Sequence, residues 1–356
     1  MHEGARGKGL GAGRTLKEFC QEILGRAWSI NTYKQDGTAR RHFTDFCVRT
    51  RRRPVIVSAE EGSEEFRMQD EMLMEFVAFL GKRGLDYQTC RAYLLSVGRQ
   101  FLTEVGHIQI SRHIRPMLCV SGLERMQGEG RIQPKKETPA MTIEILRRGI
   151  EALKRMFGGV EATRMKAIIC VGITFMLRIS EIVESQGTRH QLRWNGVEFM
   201  QYDTKEVGAR PRAMRIMIRS SKRDKAPMWR RLGATWSVVC PVRAMYEYKQ
   251  AIEGMKVEVM KDGNLFGRIG MLKEAKGEEV KRAIQGIAKV AGVEGRVEDF
   301  TTKSMRVGGV TTMTDKDDVK GHLVEKHGRW KSKTWNKVYS KQSQKTDRMI
   351  AHIMGI

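Results

Sequence analysis

Apolar residues in the first third of the chain recur every three or four positions, which is the spacing of one face of an α-helix. One such stripe consists of Met72, Leu73, Phe76, Val77 and Leu80. Gly81 and Gly84 follow it and are expected to end that helix. Similar stripes lie before and after it, so the pattern predicts about four helices in a small all-helical domain over residues 16–120.

Residues 121–138 lose this periodicity and gain glycine, proline and charge, which predicts a linker. Residues 139–356 are expected to form a second domain, with an amphipathic helix at Thr142–Phe157 and one buried helix over Ala167–Val183. Apolar and polar residues alternate in Met214–Arg219, as in a half-buried strand. Further elements are predicted as a strand at Val197–Tyr202 and helices at Val242–Gly254, Val280–Val290, Ser304–Thr314, Val319–His327 and around Tyr339. The predicted fold class is mainly α with a small antiparallel β-sheet (α+β).

The charge of the chain points to a polyanionic partner. It has 65 Lys and Arg against 41 Asp and Glu, a formal net charge of +24 at pH 7. Self-repulsion of this size disfavours a compact state unless an anionic partner offsets it, and we expect nucleic acid. No basic amphipathic helix suggests a membrane surface instead. Glycine alternates with basic and small residues over 4–14, which predicts a flexible basic tail over residues 1–15.

Other signals narrow the compartment and the chemistry. No apolar signal core and no membrane-length apolar run are present, so we expect an intracellular protein, nuclear in a eukaryotic host and otherwise in the cytoplasm or nucleoid. The six cysteines lie far apart without a CxxC pair, which indicates reduced thiols. His322 and His327 are the closest histidine pair, and their spacing matches no metal motif. We therefore expect neither a metal nor a cofactor.

Four segments of the second domain carry polar residues in unusual positions. Arg178 ends an otherwise apolar run, and Glu181 one turn later can pair with it. Lys222 follows the predicted strand Met214–Arg219, where a turn of two to four residues would present it at a hairpin tip. Arg306 precedes a diglycine that allows close backbone packing. Trp330 stands nine residues before Tyr339.

Taken in order, these segments resemble the catalytic signature of the tyrosine recombinase, or phage integrase, family. The matching segments are LRISE (177–181), SSKRDK (220–225), CPVRAMYEY (240–248), KSMRVGG (303–309) and GRWKSKTWNKVY (328–339), with SINTYKQDGTARRHFTDFC (29–47) similar to the first helices of the family's core-binding domain. The resemblance covers the chain from about residue 15 and is greatest to recombinases of eukaryotic mobile elements and viruses. It implies an N-terminal helical core-binding domain and a C-terminal tyrosine-recombinase catalytic domain.

The resemblance also implies a role for each residue. Arg178, Arg306 and Trp330 would hold the scissile phosphate, Lys222 would protonate the leaving 5′-oxygen, and Tyr339 would attack to form a 3′-phosphotyrosine. Glu181 would support Arg178. Residues of the neighbouring basic runs are expected to contact double-stranded DNA: Arg219, Arg223, Lys225, Arg329 and Lys331. Four protomers would act on two DNA sites, without metal or nucleotide.

One departure from the family pattern leaves alternatives open. Lys303 stands where the family usually has a histidine that assists proton transfer, and an ordinary protonated lysine can clamp a phosphate but cannot act as a base. His327 is a weaker candidate for that proton transfer. The alternatives are a catalytically weakened or inactive DNA-binding protein derived from a mobile element, which Lys303 favours, and a type IB topoisomerase, against which the helical N-terminal domain argues.

Overall fold

The computed structural model describes residues 30–56, 59–105, 112–132, 137–183, 191–201, 210–219, 226–315 and 321–330. The chain divides into two compact units, Met1–Lys135 and Lys136–Ile356. The fold is mainly α with a small three-stranded antiparallel sheet, so the predicted fold class is confirmed. Among the described residues, no helix is both long and apolar enough to cross a membrane.

The N-terminal unit is built from helices whose bounds are α1 (Ile30–Arg49), α2 (Glu64–Lys82), α3 (Tyr87–Val105) and α4 (Ile114–Gly128). The Ser63 side chain caps α2 by accepting a hydrogen bond from the Phe66 amide at 3.2 Å. The five residues of the predicted apolar stripe are all buried in this unit's core. The periodicity of the sequence thus located this helix and its buried face.

Helix α4 extends into the segment for which the sequence predicts a linker. It continues to Gly128, because its later turns are held by contacts that do not appear as an apolar periodicity in the sequence. Leu123 packs against Gly81, where a Cβ atom would lie only 2.8 Å from a Leu123 methyl. The Gln127 side chain accepts a hydrogen bond from the Tyr87 amide. The linker prediction is therefore wrong for residues 121–128.

The C-terminal unit contains the sheet and the remaining helices. In chain order they are α5 (Ile143–Gly149), α6 (Ala152–Met156), α7 (Gly159–Thr174), α8 (Ile179–Ile182), β1 (Val197–Met200), β2 (Ala213–Ile218), β3 (Met228–Gly233), α9 (Pro241–Gly254), α10 (Gly277–Val290), α11 (Lys303–Thr314) and α12 (Gly321–Gly328). Its main core lies around α7, which is apolar on nearly all sides and is packed by α9, α10 and α11.

The antiparallel sheet has the order β1-β2-β3. Met214, Ile216 and Ile218 of β2 are buried, as their alternation predicts. The sequence did not indicate β3, an edge strand that reads Met-Trp-Arg-Arg-Leu-Gly and lacks apolar alternation. Because Ile218 pairs with Met228, nine residues connect β2 to β3 rather than the two to four expected.

Two predicted helices are each broken in two. The apolar run predicted as one helix over 167–183 stops at Thr174, and α8 begins five residues later. Between them, Met176 has a left-handed backbone with φ +50°, and the amides of Met176 and Leu177 bond back to Ile173 and Gly172. The segment predicted as a helix over 142–157 divides at Gly149, whose Cα faces the Ile287 carbonyl of α10 too closely to admit a Cβ.

Candidate active site

The diglycine of α11 sets the depth at which Arg306 lies. A Cβ on Gly308 would overlap the Met141 carbonyl, and one on Gly309 would overlap the Ile173 carbonyl of α7. The close backbone packing predicted from these glycines is confirmed. Because of this close packing, α11 lies deep in the unit, and Arg306, two residues before Gly308, is only 3% exposed.

Arg306 is held by the C-terminal end of α12. Its Nη2 donates a hydrogen bond to the Gly328 carbonyl at 2.8 Å, and its guanidinium carbon lies 4.4 Å from the ring centre of Trp330. Because Gly328 ends α12, no backbone amide of the helix donates to its carbonyl, and this carbonyl can accept a hydrogen bond from a cation. The Trp330 ring lies directly over Gly328, since a Cβ there would overlap the ring. Glycine at 328 therefore lets Trp330 stack on Arg306.

Arg178 lies at the N-terminus of α8 rather than at the end of a long helix. Its backbone amide donates to Glu181 Oε2 and its Nη1 donates to Glu181 Oε1, both at 2.9 Å. The Arg178 side chain is 34% exposed, whereas that of Glu181 is 3% exposed. The predicted Arg178–Glu181 pair is thus present, with the carboxylate buried and the guanidinium reaching solvent.

A second arginine shares Glu181. Arg329 Nη2 lies 2.8 Å from Glu181 Oε2 and donates a weaker bond to the Met176 carbonyl at 3.3 Å. Arg329 has a left-handed backbone, φ +61°, as does Met176. A left-handed conformation costs a non-glycine residue about 1 kcal/mol or more, and it persists where surrounding contacts hold it. The ion pair with Glu181 is such a contact.

The surface DNA contact predicted for Arg329 does not fit this geometry. Its side chain is only 2% exposed and its Nη2 is paired with the Glu181 carboxylate, so the guanidinium is engaged within the protein instead of being presented on the surface. Arg219, another predicted DNA contact, follows β2 and donates to the Asn195 side chain at 2.8 Å. It is partly exposed, and its DNA contact stays a prediction.

The site is strongly cationic around one buried carboxylate. Burial alone would raise the pKa of Glu181, but the charge and hydrogen bond of Arg329, with the bonds and charge of Arg178, hold that pKa below the usual glutamate range. Glu181 is therefore ionised at neutral pH. It orients two guanidinium groups whose mutual repulsion it offsets.

The imidazole ring of His327 is engaged in a hydrogen bond within the protein. Its Nε2 lies 2.6 Å from the Thr174 carbonyl, and since a carbonyl can only accept, this nitrogen donates. Burial lowers the pKa of His327; the bond to Thr174 opposes this, and the charges of Arg230 and Arg329 add to the lowering. A neutral His327 ties α12 to the last turn of α7.

The structure thus brings together Arg178 with Glu181, and Arg306 with Trp330, and residues 328–330 connect the two groups. Lys303 is exposed in the first turn of α11, one helical turn before Arg306. The remaining predicted site residues, Lys222, Arg223, Lys225, Lys331 and Tyr339, lie outside the described residues.

Arg230 is a neighbour of this site that the sequence did not reveal. It lies on β3, the unpredicted strand, and its Nη2 donates to the Lys326 carbonyl in the last turn of α12 at 2.8 Å. Burial and the charge of Arg329 lower its pKa. An isolated arginine in a basic run gives no signal of such a contact, because strand β3 itself has no periodic pattern.

Comparisons with known proteins identify the fold. No protein-family model and no curated protein matches the sequence. The integrase of transposon Tn1549, solved in complex with transposon right-end DNA, is 13% identical and has a TM-score of 0.52, covering 96% of this chain and 99% of that one. A lambda integrase dimer bound to a COC′ core site is 11% identical with a TM-score of 0.48, covering 92% of this chain and 76% of that one. The likeness to the Tn1549 integrase shows a shared fold.

Proposed function

We propose that this protein is a site-specific DNA recombinase of the tyrosine recombinase class, which cleaves and rejoins DNA through a 3′-phosphotyrosine. The observation that carries the proposal is the arrangement at the end of α12: Arg306 contacts Gly328 and Trp330 directly, and Arg178 is linked to Arg329 through the shared Glu181 carboxylate. Two arginines with a purely structural role would not require an indole stacked on one of them, as Trp330 is on Arg306. They would also not require a buried carboxylate shared with a further arginine, as Glu181 is shared by Arg178 and Arg329. The fold shared with a DNA-bound integrase supports the same class.

The proposed chemistry uses few groups. Two arginine forks and the Trp330 indole N–H would neutralise and hold the non-bridging oxygens of the scissile phosphate. The Tyr339 hydroxyl would lose its proton to solvent and its oxygen would attack phosphorus while the bond to the 5′-oxygen breaks, and Lys222 would give a proton to that 5′-oxygen. Attack by another 5′-hydroxyl would reverse the step and release the tyrosine. The energy of the phosphodiester is kept in the intermediate, so neither metal nor nucleotide enters.

Lys303 has a defined place in this scheme. It is exposed one turn before the buried Arg306, so its ammonium can extend toward a bound phosphate as a third cation. Activity would then be retained without the histidine that the family usually has at this position. The alternative of an inactive DNA-binding protein predicts binding without cleavage.

The partner we propose is double-stranded DNA, bound by a tetramer on two sites. The net charge of +24 supports binding through phosphate contacts, whose affinity falls steeply with salt. The roles of Arg219, Arg223, Lys225 and Lys331 as such contacts belong to this proposal. The origin in a eukaryotic mobile element or virus, and the nuclear location that would follow, also stay predictions.

Covalent trapping tests the proposal. The protein is incubated in chelator with nicked duplexes drawn from the DNA flanking its own coding locus, and the products are denatured in detergent. We expect a protein–DNA adduct with the unmodified protein and none with Tyr339→Phe, which should still bind the DNA. Salt-sensitive binding without an adduct on any flanking duplex would favour the inactive binder. Relaxation of supercoiled plasmid without sequence preference would favour a topoisomerase.

A further inference from the structure

Four consecutive residues at the end of α12 and just after it are bound by four different elements. The Lys326 carbonyl accepts from Arg230 of β3, and His327 donates to the Thr174 carbonyl of α7. The Gly328 carbonyl accepts from Arg306 of α11, and Arg329 pairs with Glu181 of α8. We name residues 326–330 the α12 terminus. Its position decides where the Trp330 ring lies over Arg306.

Of the four contacts, the one from Arg230 joins the α12 terminus to a strand rather than to a helix, and it lies beside a cavity. A cavity of about 610 Å³ lies between β3 and the helices α11 and α12, lined on the strand side by Trp229 and Leu232 and on the helix side by Met313 and Leu323. Arg230 and Lys326 also line it, as do Thr174 and His327. Side-chain packing therefore holds the strand to the α12 terminus weakly at this point, and the 2.8 Å hydrogen bond from Arg230 spans the gap.

The chemistry of this contact suits a fixed position. Carbonyls in the last turn of a helix lack an intrahelical donor and carry the negative end of the helix dipole, so a guanidinium is a favourable partner. Arg230 pairs with Ile216 in the sheet, and since Ile216 is fully buried, the partly buried Arg230 side chain starts from the face of the sheet that is turned toward the core. Its charge also adds to that of Arg329, which contributes to the lowered pKa of Arg230.

We propose that Arg230 is a positioning residue for the side chains that hold the scissile phosphate. By tethering the α12 terminus to β3, it keeps Trp330 and Arg306 in the geometry that neutralises this phosphate. This inference rests on the proposed function. It assigns to Arg230 no contact with the reacting atoms. Its loss should mainly affect stabilisation of charge on the non-bridging oxygens.

A comparison of two substrates separates this role from a loss of folding. One is a nicked duplex with an ordinary scissile phosphate; the other carries a methylphosphonate there, which lacks one charged oxygen and so needs less neutralisation. We expect Arg230→Ala to lower the rate of adduct formation about 10- to 100-fold on the phosphate and by less than about threefold on the methylphosphonate. Arg306→Ala should show the same selectivity.

Two further variants complete the test. Arg230→Lys keeps the cation and a donor near the Lys326 carbonyl, and it should recover most of the rate on the phosphate. Arg231→Ala removes the same charge from the exposed face of the same strand, so it can alter DNA affinity but should leave the ratio of the two rates unchanged. A shared selectivity of Arg230→Ala and Arg231→Ala would show a general charge effect and overturn the proposal.

The outcomes separate the two levels of inference. Equal losses on both substrates, or no loss on either, would overturn the role of Arg230 while the unmodified protein still forms its Tyr339-dependent adduct. No such adduct with the unmodified protein would overturn the proposed function, and the role of Arg230 with it.

Discussion

Glu181 and Arg329 form an ion pair at 2.8 Å in which neither side chain is more than 3% exposed. The pair joins α8 to the residue that follows α12, and the two residues are 148 positions apart in the chain. A charge removed from water so completely is stable only with its partner, because either ion alone would keep the full cost of desolvation. This pair is therefore a point where stability and site geometry depend on the same atoms.

Replacing Glu181 with glutamine should destabilise the protein. Glu181→Gln keeps the size of the side chain but leaves the buried Arg329 without its counter-ion, and we expect a loss of about 3 kcal/mol in the free energy of unfolding. Urea denaturation followed by tryptophan fluorescence measures it, since five of the six tryptophans lie in the C-terminal unit.

Glu198→Gln is the matched control. It breaks the ion pair with Arg215, whose two side chains are each more than 40% exposed. Exposed pairs of this kind contribute about 0–1 kcal/mol. If the two variants lost the same free energy of unfolding, burial would not increase the contribution of the Glu181–Arg329 pair to stability.

The contribution of Glu181 should vanish in acid. Its pKa is lowered in the folded state, so its stabilisation is complete above the unfolded value, near pH 4.3, and is lost as the pH falls through the lower folded value. The difference in unfolding free energy between the unmodified protein and Glu181→Gln should be constant from about pH 5 to 7 and shrink below about pH 4. A difference that stayed constant down to pH 3 would contradict the lowered pKa.

Sequence and structure agree where short-range pattern decides the outcome. The alternation of β2 and the diglycine of α11 were readable because strand faces and close helix contacts leave local marks. The break after Thr174 is not predictable from the local pattern, because the Thr174 carbonyl accepts its hydrogen bond from His327, 153 residues away in the chain. The surface DNA contact predicted for Arg329 does not fit the structure for a related reason. A basic residue in a basic run is expected to be exposed to solvent, and the sequence does not show that Arg329 pairs with the distant Glu181.

His327 should make stability depend on pH in a different range. Its pKa is lowered in the folded state, so the unfolded chain binds protons more readily and stability should fall as the pH drops below about 6.5. His327→Gln can still donate to the Thr174 carbonyl but does not titrate, and it should flatten this dependence in urea denaturation between pH 7 and 5. His322→Gln, exposed on the same helix, should leave the slope as it is. An unchanged slope in His327→Gln would mean that His327 is not the titrating group.

Gly308→Ala should be strongly destabilising. The added methyl would overlap the backbone carbonyl of Met141, which cannot move as a side-chain tip can, and we expect a loss of about 3 kcal/mol in unfolding free energy. Gly254→Ala, at the end of α9 with open space around its Cα, should change stability by less than about 0.5 kcal/mol. Denaturation curves of both variants check this, and similar losses would show that the backbone at Gly308 has room to adjust.

The contact between Trp330 and Arg306 can be broken without changing either residue. A Cβ on Gly328 would overlap the Trp330 ring, so Gly328→Ala should move the ring off the Arg306 guanidinium, a cation–π contact worth about 0.5–2 kcal/mol. We expect Gly328→Ala and Trp330→Ala each to slow adduct formation, and the double variant to be no slower than Trp330→Ala alone, because both remove one interaction. Rates measured at saturating DNA test this cycle. Losses that add in the double variant would show that Gly328 serves the site by a route other than the Trp330 ring.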